Sequence, residues 1–349
     1  MKAMMLTGIR EMEIKEVSEP VLVNPEDVKI RILAVGICGS DIHYYTLGQI
    51  GSQIVKYPFT VGHESAGEVV ETGPGVTRVR KGDLIAIEPA IWCGKCDQCL
   101  SGRHHTCRNL KFLGCPGQAE GVLSEYIIMP ENSCFPLPPN LTPDHGSISE
   151  PLAIGVYSVI KAGEIKDAKI GILGFGPIGM SVMLAAKANE AGEIYATDKI
   201  DSRLGIASKE KAAWTGNPIN DNVVEIIKQI EPLGLDIVFE CCGQQEAVDQ
   251  AIDLLKPGGR LVIVGIPEFA KWTLSVDDTR RKEISIQFIR RQIGCVETAL
   301  EMMSNGKIDV GNMVTHRFPF GKTKEAFDLV AGYHDGVMKA MIDFLPPTT

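Results

Sequence analysis

The chain carries no surplus of positive charge. Its 35 Lys and Arg face 44 Asp and Glu, a formal net charge of −9. General affinity for nucleic acid or for an anionic membrane needs a cationic face, so neither class of partner is expected. No apolar run approaches the roughly 18 residues that span a bilayer. The first ten residues hold no hydrophobic stretch of a secretion signal. Internal repeats and low-complexity tracts are missing as well. With 44% hydrophobic and 23% charged residues over 349 positions, a disordered or fibrous chain is excluded. The length suits two cores better than one. The expected location is the cytoplasm and the expected partner a small molecule.

What the sequence does have is ten cysteines, unevenly spread. Cys93, Cys96, Cys99 and Cys107 crowd into one short segment, while Cys38, Cys115, Cys134, Cys241, Cys242 and Cys295 are scattered. A small secreted domain uses many cysteines as a disulfide frame. A chain of this length without a secretion signal more readily uses a cluster for metal. Two-residue spacings let neighbouring sulfurs point at one centre. Four thiolates fill a tetrahedral Zn²⁺ shell and leave no open position, so this site reads as structural. Disulfides or inert thiols are the competing reading. A second set is looser: Cys38, then His63 and Glu64, then Glu150 before Pro151. One thiolate, one imidazole and one or two carboxylates can hold Zn²⁺ with a place for substrate. Taken singly these residues are unremarkable, since a lone Cys is usually a small core residue.

Three regions differ in texture, giving expected domains at 1–151, 152–289 and 290–349. The first is rich in short β-like runs bounded by Gly or Pro, such as 28–35, 65–72 and 83–88. The second alternates strands (169–173, 193–197, 236–240, 260–264, 283–288) with helices (177–189, 202–211, 223–230, 245–255). That alternation argues for an α/β domain with a parallel sheet covered on both faces. The third offers helices at 295–304 and 322–331 and strands near 315–318 and 338–344. It is too short to stand alone and should pack back on the rest.

Gly174-Phe175-Gly176-Pro177-Ile178-Gly179 is a GxGxxG between an expected strand and an expected helix, the context that gives this pattern force. The first glycine permits the tight turn, the second a close approach of backbone to pyrophosphate, and the third close packing of helix on strand. The helix N-terminus offers unpaired N–H groups to phosphate, and Pro177 at its start forfeits no bond. Asp198 ends the next strand, where a carboxylate accepts from the adenine ribose hydroxyls and repels a 2′-phosphate. The cofactor is therefore read as NAD rather than NADP, with Lys199 beside it as the opposing signal. Arg203, on the following helix, joins the cofactor-binding set. A glycine turn with an N-capping Asp is the plainer alternative.

These motifs together resemble the zinc-dependent medium-chain alcohol dehydrogenases over essentially the whole chain, and within them the polyol dehydrogenases of sorbitol, L-iditol and xylitol type. The matching stretches are GICGSDIHY (36–44), Gly62-His63-Glu64, the four-cysteine lobe, Glu150-Pro151-Leu152, the glycine turn and VTHRFP (314–319). The resemblance implies a GroES-like β-rich catalytic domain formed by the first and third regions, an inserted Rossmann domain, and an active site in the cleft. It implies a catalytic zinc held by Cys38, His63 and Glu64, with Glu150 binding directly or through water. Three negative ligands against two positive charges predict that one glutamate stands off. Ser40 and His43 match a proton relay, while Tyr44 and Arg290 match substrate-pocket positions. The implied reaction takes a hydride from a secondary alcohol of a small polyol to NAD, giving a ketose, in a homodimer or homotetramer. Other branches, acting on threonine, 2,3-butanediol or sugar acids, remain open, as does a non-enzymatic NAD(H) sensor. Animal sorbitol enzymes often lack a complete cysteine lobe, and tend to have tyrosine where this chain has Arg291. The latter departure leaves acidic or phosphorylated substrates open.

Overall fold

In the computed structural model, which describes residues 1–344, the change of texture near residue 150 is a change of compact unit. The first unit comprises Met1–Glu150, Val296–Gly306 and the chain from Val314 on. The second comprises Pro151–Cys295 and Lys307–Met313.

Strands are numbered along the whole chain. The first unit opens with an antiparallel pair, β1 (Lys2–Gly8) and β2 (Glu11–Glu16). Its main sheet has seven strands: β3 (Asp27–Gly36), β4 (Glu64–Thr72), β5 (Leu84–Ile87), β6 (Tyr126–Pro130), β7 (Cys134–Pro136), β14 (Val314–Pro319) and β15 (Lys339–Asp343). The path runs β7-β5-β4-β3-β15-β14, with β6 also on β3. β3 is central: one face is apolar along its length, and the other becomes apolar after Arg31. Val28, Ile30, Ile32 and Val35 are at most 1% exposed and pack with Val69, Ile85, Leu123 and Phe327. Each such side chain contributes about 1.5–3 kcal/mol by leaving water. The register joins three strands at one point: Gly36, the last residue of β3, lies opposite Glu64 on one side and Met341 on the other. Helix α1 (Gly39–Leu47) starts three residues later.

The second unit is a six-stranded, wholly parallel sheet. Its strands are β8 (Ile170–Leu173), β9 (Ile194–Thr197), β10 (Trp214–Gly216), β11 (Leu235–Glu240), β12 (Leu255–Ile263) and β13 (Ser285–Phe288). The order β10-β9-β8-β11-β12-β13 reverses direction between β8 and β11, and at such a reversal a doubly wound sheet opens the crevice that takes a dinucleotide. Buried β8 and β9, and Ile237–Phe239 within β11, read as apolar runs rather than alternating ones, as a sheet covered on both faces requires.

Three elements depart from the sequence reading. Helix α2 (Pro143–Ala162) continues through Pro151, so Glu150 sits in a helix interior. Proline there lacks an N–H, which leaves the Ser147 carbonyl without its usual intrahelical donor. β10 is only three residues long, too short for its pattern to stand out. The helix Val276–Arg281 buries no residue, and is carried by an N-cap in which Ser275 accepts from the Asp278 N–H. Among the described residues no helix is long and apolar enough to cross a membrane.

Candidate functional site

Three features carry chemistry. The first is the cysteine lobe. Cys96 Sγ lies 3.6 Å from Cys99 Sγ and 3.8 Å from Cys107 Sγ, and Cys107 Sγ lies 3.5 Å from Cys93 Sγ. Disulfide sulfurs would be about 2.05 Å apart. Four ligands at a Zn–S length of about 2.3 Å make a tetrahedron with edges of about 3.8 Å, which is the spacing seen. Donors surround the thiols. The backbone N–H groups of Cys93 and Asn109 donate to Cys107 Sγ, and the Asn109 side-chain amide donates to Cys93 Sγ. A backbone N–H bond at Lys95, then Asn109, draw the Cys93 pKa down to about 6, toward the thiolate that a metal needs. All ten cysteines are free. The residues fit a closed zinc site and not a disulfide.

The second feature lies where β3, α1 and β4 meet. The ligand atoms of Cys38, His63 and Glu64 are all within 4.8 Å of one another. Cys38 ends the turn out of β3, His63 immediately precedes β4 and Glu64 begins it, so strand pairing brings the 25-residue separation to contact. Asp41, one turn into α1 and 0% exposed, ties the loops together. Its Oδ2 accepts from the Cys38 N–H at 3.1 Å, its Oδ1 accepts from the Gly62 N–H at 3.0 Å, and Oδ1 faces His63 Nδ1 at 3.4 Å. A carboxylate on one ring nitrogen fixes the imidazole and leaves the other nitrogen for a metal. Burial disfavours the His63 cation, but Asp41 and Cys38 outweigh it and hold the pKa well above its ordinary value. Ser147 on α2 locks the strands in turn: its Oγ accepts from the Gly36 N–H and donates to the Glu64 carbonyl.

Both oxygens of Glu64 bond to the ammonium of Lys339, on β15, at 2.6 and 2.5 Å. Lys339 is 2% exposed. Burial works against its charge, and Glu64, with Cys38 and then Glu150 behind it, more than offsets this, so its pKa is raised. Glu150 is buried one turn along α2 from Ser147 but stands outside the tight Cys38–His63–Glu64 cluster. Ser40 and His43, both half-buried, lie one turn apart on α1. Tyr44 turns inward, and its hydroxyl donates to Gln53 at 3.1 Å and reaches Cys115 Sγ at 3.8 Å. Arg290 is exposed on the second unit, just beyond β13. Asp41, Ser147 and Lys339 were not singled out from sequence. Only Asp41 had a signal, as an acid three residues after the helix-initiating Cys38.

The third feature is the glycine turn at the end of β8. Gly174 has φ +94°, and a Cβ there would stand 2.6 Å from Cys242 Cβ. On Gly179 a Cβ would stand 2.1 Å from the Gly174 carbonyl oxygen. Gly176 caps helix α3 (Pro177–Ala188), with Pro177 at its first position and Ile178 half-buried beside it. Asp198 follows β9. Its Oδ2 accepts from the Phe175 N–H at 2.7 Å and its Oδ1 from the Ile200 N–H at 2.9 Å. Burial raises its pKa despite Arg203 nearby. Arg203, on helix α4 (Asp201–Lys209), places Nη1 3.9 Å from Asp198 Oδ2. Lys199 is exposed. The open N-terminus of α3, the glycines and the acid form a cradle suited to a dinucleotide.

Residues 24–139 match the alcohol dehydrogenase GroES-like domain family and residues 177–305 the zinc-binding dehydrogenase family. The sorbitol dehydrogenase of Bacillus subtilis (strain 168) is 34% identical, over 98% of this chain and 97% of its own. The L-idonate 5-dehydrogenase of Vitis vinifera is 35% identical, over 93% of this chain and 90% of its own. Among solved structures, one described as a zinc-binding dehydrogenase of Sinorhizobium meliloti 1021 bound to NADP superimposes with a TM-score of 0.88. It is 30% identical and covers 98% of both chains. The cysteine lobe, the thiol–imidazole–carboxylate cluster and the glycine turn agree with these matches, and the chain belongs to the zinc-binding, GroES-like alcohol dehydrogenase family.

Proposed function

We propose that the chain is a polyol dehydrogenase, moving a hydride from a secondary alcohol of a small sugar alcohol to NAD and giving a ketose. The observation that carries this reading is a pair of sites in one chain: a cluster of Cys38, His63 and carboxylates with zinc chemistry, and a dinucleotide cradle. Relatives named sorbitol and L-idonate dehydrogenases support the substrate class. An unaided alcohol is too weak an acid to lose its proton at neutral pH, and a zinc ion held in this cluster would supply the Lewis acidity that changes this. Cys38 and His63, with Glu64 or Glu150, would hold the ion. Asp41 keeps His63 oriented. Ser40 and His43, half-buried on one turn of α1, would carry the hydroxyl proton outward. Tyr44, with its hydroxyl bonded in the core, supports the wall of the site, and Arg290 would bind substrate hydroxyls. In the cradle, the α3 N-terminus would hold pyrophosphate, and Asp198 and Arg203 would hold the ribose.

The test is a panel of polyols, 2,3-butanediol, threonine and sugar acids with NAD and with NADP on zinc-replete protein, read by nicotinamide absorbance. Turnover of 2,3-butanediol or threonine well above any polyol refutes the substrate reading. Preference for NADP refutes the cofactor reading, an outcome to which the NADP-bound relative gives a specific basis.

The working form is a homodimer joined through β13. Among the described residues, no other strand pairs with the outer side of this edge strand of the parallel sheet. Phe288 on it is 56% exposed, and Val276 ahead of it 77%. Two copies related by a twofold axis can pair such edges antiparallel. Light scattering on Phe288→Lys should show a monomer, and an unchanged dimer removes β13 from the contact. Free cysteines throughout suit a reducing cytoplasm.

A further inference from the structure

Near the metal cluster, the wall of the first unit carries a polar group left over by the fold. Helix α1 ends at Leu47, and Gly48, at φ +70°, turns the chain into a small hairpin that pairs Gln49–Ile50 with Gln53–Ile54. The Val55 N–H donates to the Gly48 carbonyl at 2.8 Å and Val55 is buried, so the hairpin hangs on the end of α1. This sets Gln53 beside Tyr44. The Tyr44 hydroxyl donates to Gln53 Oε1 and also reaches Cys115 Sγ. Cys115 packs with Phe112, whose ring lies 5.3 Å from the His63 ring. A run of contacts therefore leads from His63, through Phe112, Cys115 and Tyr44, to Gln53.

The pair is chemically one-sided. A phenol has one O–H donor, and Tyr44 turns it on Gln53. That bond fixes the amide oxygen toward the helix and so decides where the amide nitrogen stands. The nitrogen has two N–H donors and no hydrogen-bond partner among the described residues. Gln53 is half-buried and its nitrogen is not sealed from solvent, so an incoming molecule can reach it. A carboxylate or phosphate is best met by a cation, and Gln53, Tyr44 and Cys115 supply none. A neutral hydroxyl is the acceptor that suits this wall. We propose that Gln53 is a specificity-determining residue whose Nε2 donates to a substrate hydroxyl beyond the carbon that is oxidised, with Tyr44 as the positioning residue that holds the amide. The inference deepens the polyol reading above and rests on it.

The test measures kcat and KM with NAD for sorbitol, xylitol and 1,2-propanediol on zinc-replete, full-length protein. 1,2-Propanediol keeps a secondary hydroxyl beside a primary one but has no hydroxyl further along. In Gln53→Leu the kcat/KM ratio of polyol to 1,2-propanediol should fall about tenfold, the upper end for one neutral hydrogen bond, and the fall should sit in KM. Gln53→Met, an unbranched side chain of similar length, should behave alike, which separates lost donors from altered packing. An unchanged ratio in both variants overturns the proposal, whether the substrates are unaffected or fall together as a purely structural amide requires. A fall carried by kcat overturns it as well. Tyr44→Phe should lower the ratio by a smaller factor and lower it no further in the Gln53→Leu background. Independent effects of the two substitutions remove Tyr44 from orienting the amide. If the parent itself turns over neither polyol, the polyol reading fails and the proposal falls with it, a result distinct from an unchanged ratio in a parent that does.

Discussion

Replacing Asp41 by Asn tests whether a buried carboxylate organises the Cys38–His63 pair. The two side chains have the same shape, but one oxygen becomes an NH₂. In the parent, Oδ2 accepts from Cys38 N–H at 3.1 Å, and Oδ1 accepts from Gly62 N–H at 3.0 Å while facing His63 Nδ1. Whichever way the amide is turned, one backbone N–H then meets a donor instead of an acceptor. The site is 0% exposed, so water cannot take over. A hydrogen bond to a charged group contributes about 1.5–3 kcal/mol, and a buried N–H left unpaired costs about 1–3 kcal/mol. The expected loss of stability is about 2–4 kcal/mol. Partners of this kind behind a metal ligand typically change metal affinity by about 10–100-fold, about 1.4–2.7 kcal/mol at 25 °C. Urea unfolding of the zinc-loaded protein gives the first quantity. Chelator competition gives the second, with the four-cysteine lobe as an internal control whose zinc should stay. An Asp41→Asn protein within 0.5 kcal/mol of the parent on the typical surface-substitution scale, and within threefold in zinc affinity, would refute the role given to Asp41.

The remaining predictions concern the second unit. Gly179→Ala drives a methyl into the Gly174 carbonyl oxygen at 2.1 Å, so NAD binding measured by calorimetry should fall at least tenfold; parent-like binding would show the turn able to yield. Asp198→Ala should cut the NAD-over-NADP ratio of kcat/KM by tenfold or more, and it should also lower Tm, since Phe175 N–H loses its acceptor. An unchanged ratio removes Asp198 from cofactor choice. Glu240 is 0% exposed; its Oε1 accepts from the Cys242 and Gly243 N–H groups, and its Oε2 has no hydrogen-bond partner among the described residues. Burial raises its pKa above the ordinary value near 4.5. Between those two values the folded chain holds more protons than the unfolded one, so this group lowers stability as pH rises through that window and adds no slope above it. Urea unfolding of Glu240→Gln across pH should lack this component, and parallel profiles for the two proteins would contradict it.

Local pattern encodes the glycine turn, the cysteine spacing and most strands and helices of the second unit, which lie where periodicity and punctuation put them, within a few residues. Local pattern could not show that α2 continues past Pro151, because tertiary packing holds a helix that proline alone would end. Nor could it pair Lys339 with Glu64, 275 residues away. A lysine in a short C-terminal strand looks like a solvent-facing residue until the sheet order places β15 against β3. Ser147 is equally silent, a small polar residue whose two bonds exist only once α2 meets the ends of β3 and β4.

The sheet order also has a consequence for biosynthesis. A ribosome delivers residues in sequence, at about 5–20 per second, and units fold as they emerge. The second unit is nearly continuous and is complete once residue 313 has appeared. The first unit is not: β3 and β4 emerge early, while β15, which pairs with β3 and carries the partner of Glu64, comes last. Until then the Ala34–Gly36 end of β3 lacks its strand partner and Glu64 lacks the Lys339 counter-charge. The nascent chain therefore holds an unfinished sheet while its neighbour folds, and a translational stall before Lys339 would leave a dinucleotide-binding unit attached to a first unit with an incomplete zinc cluster.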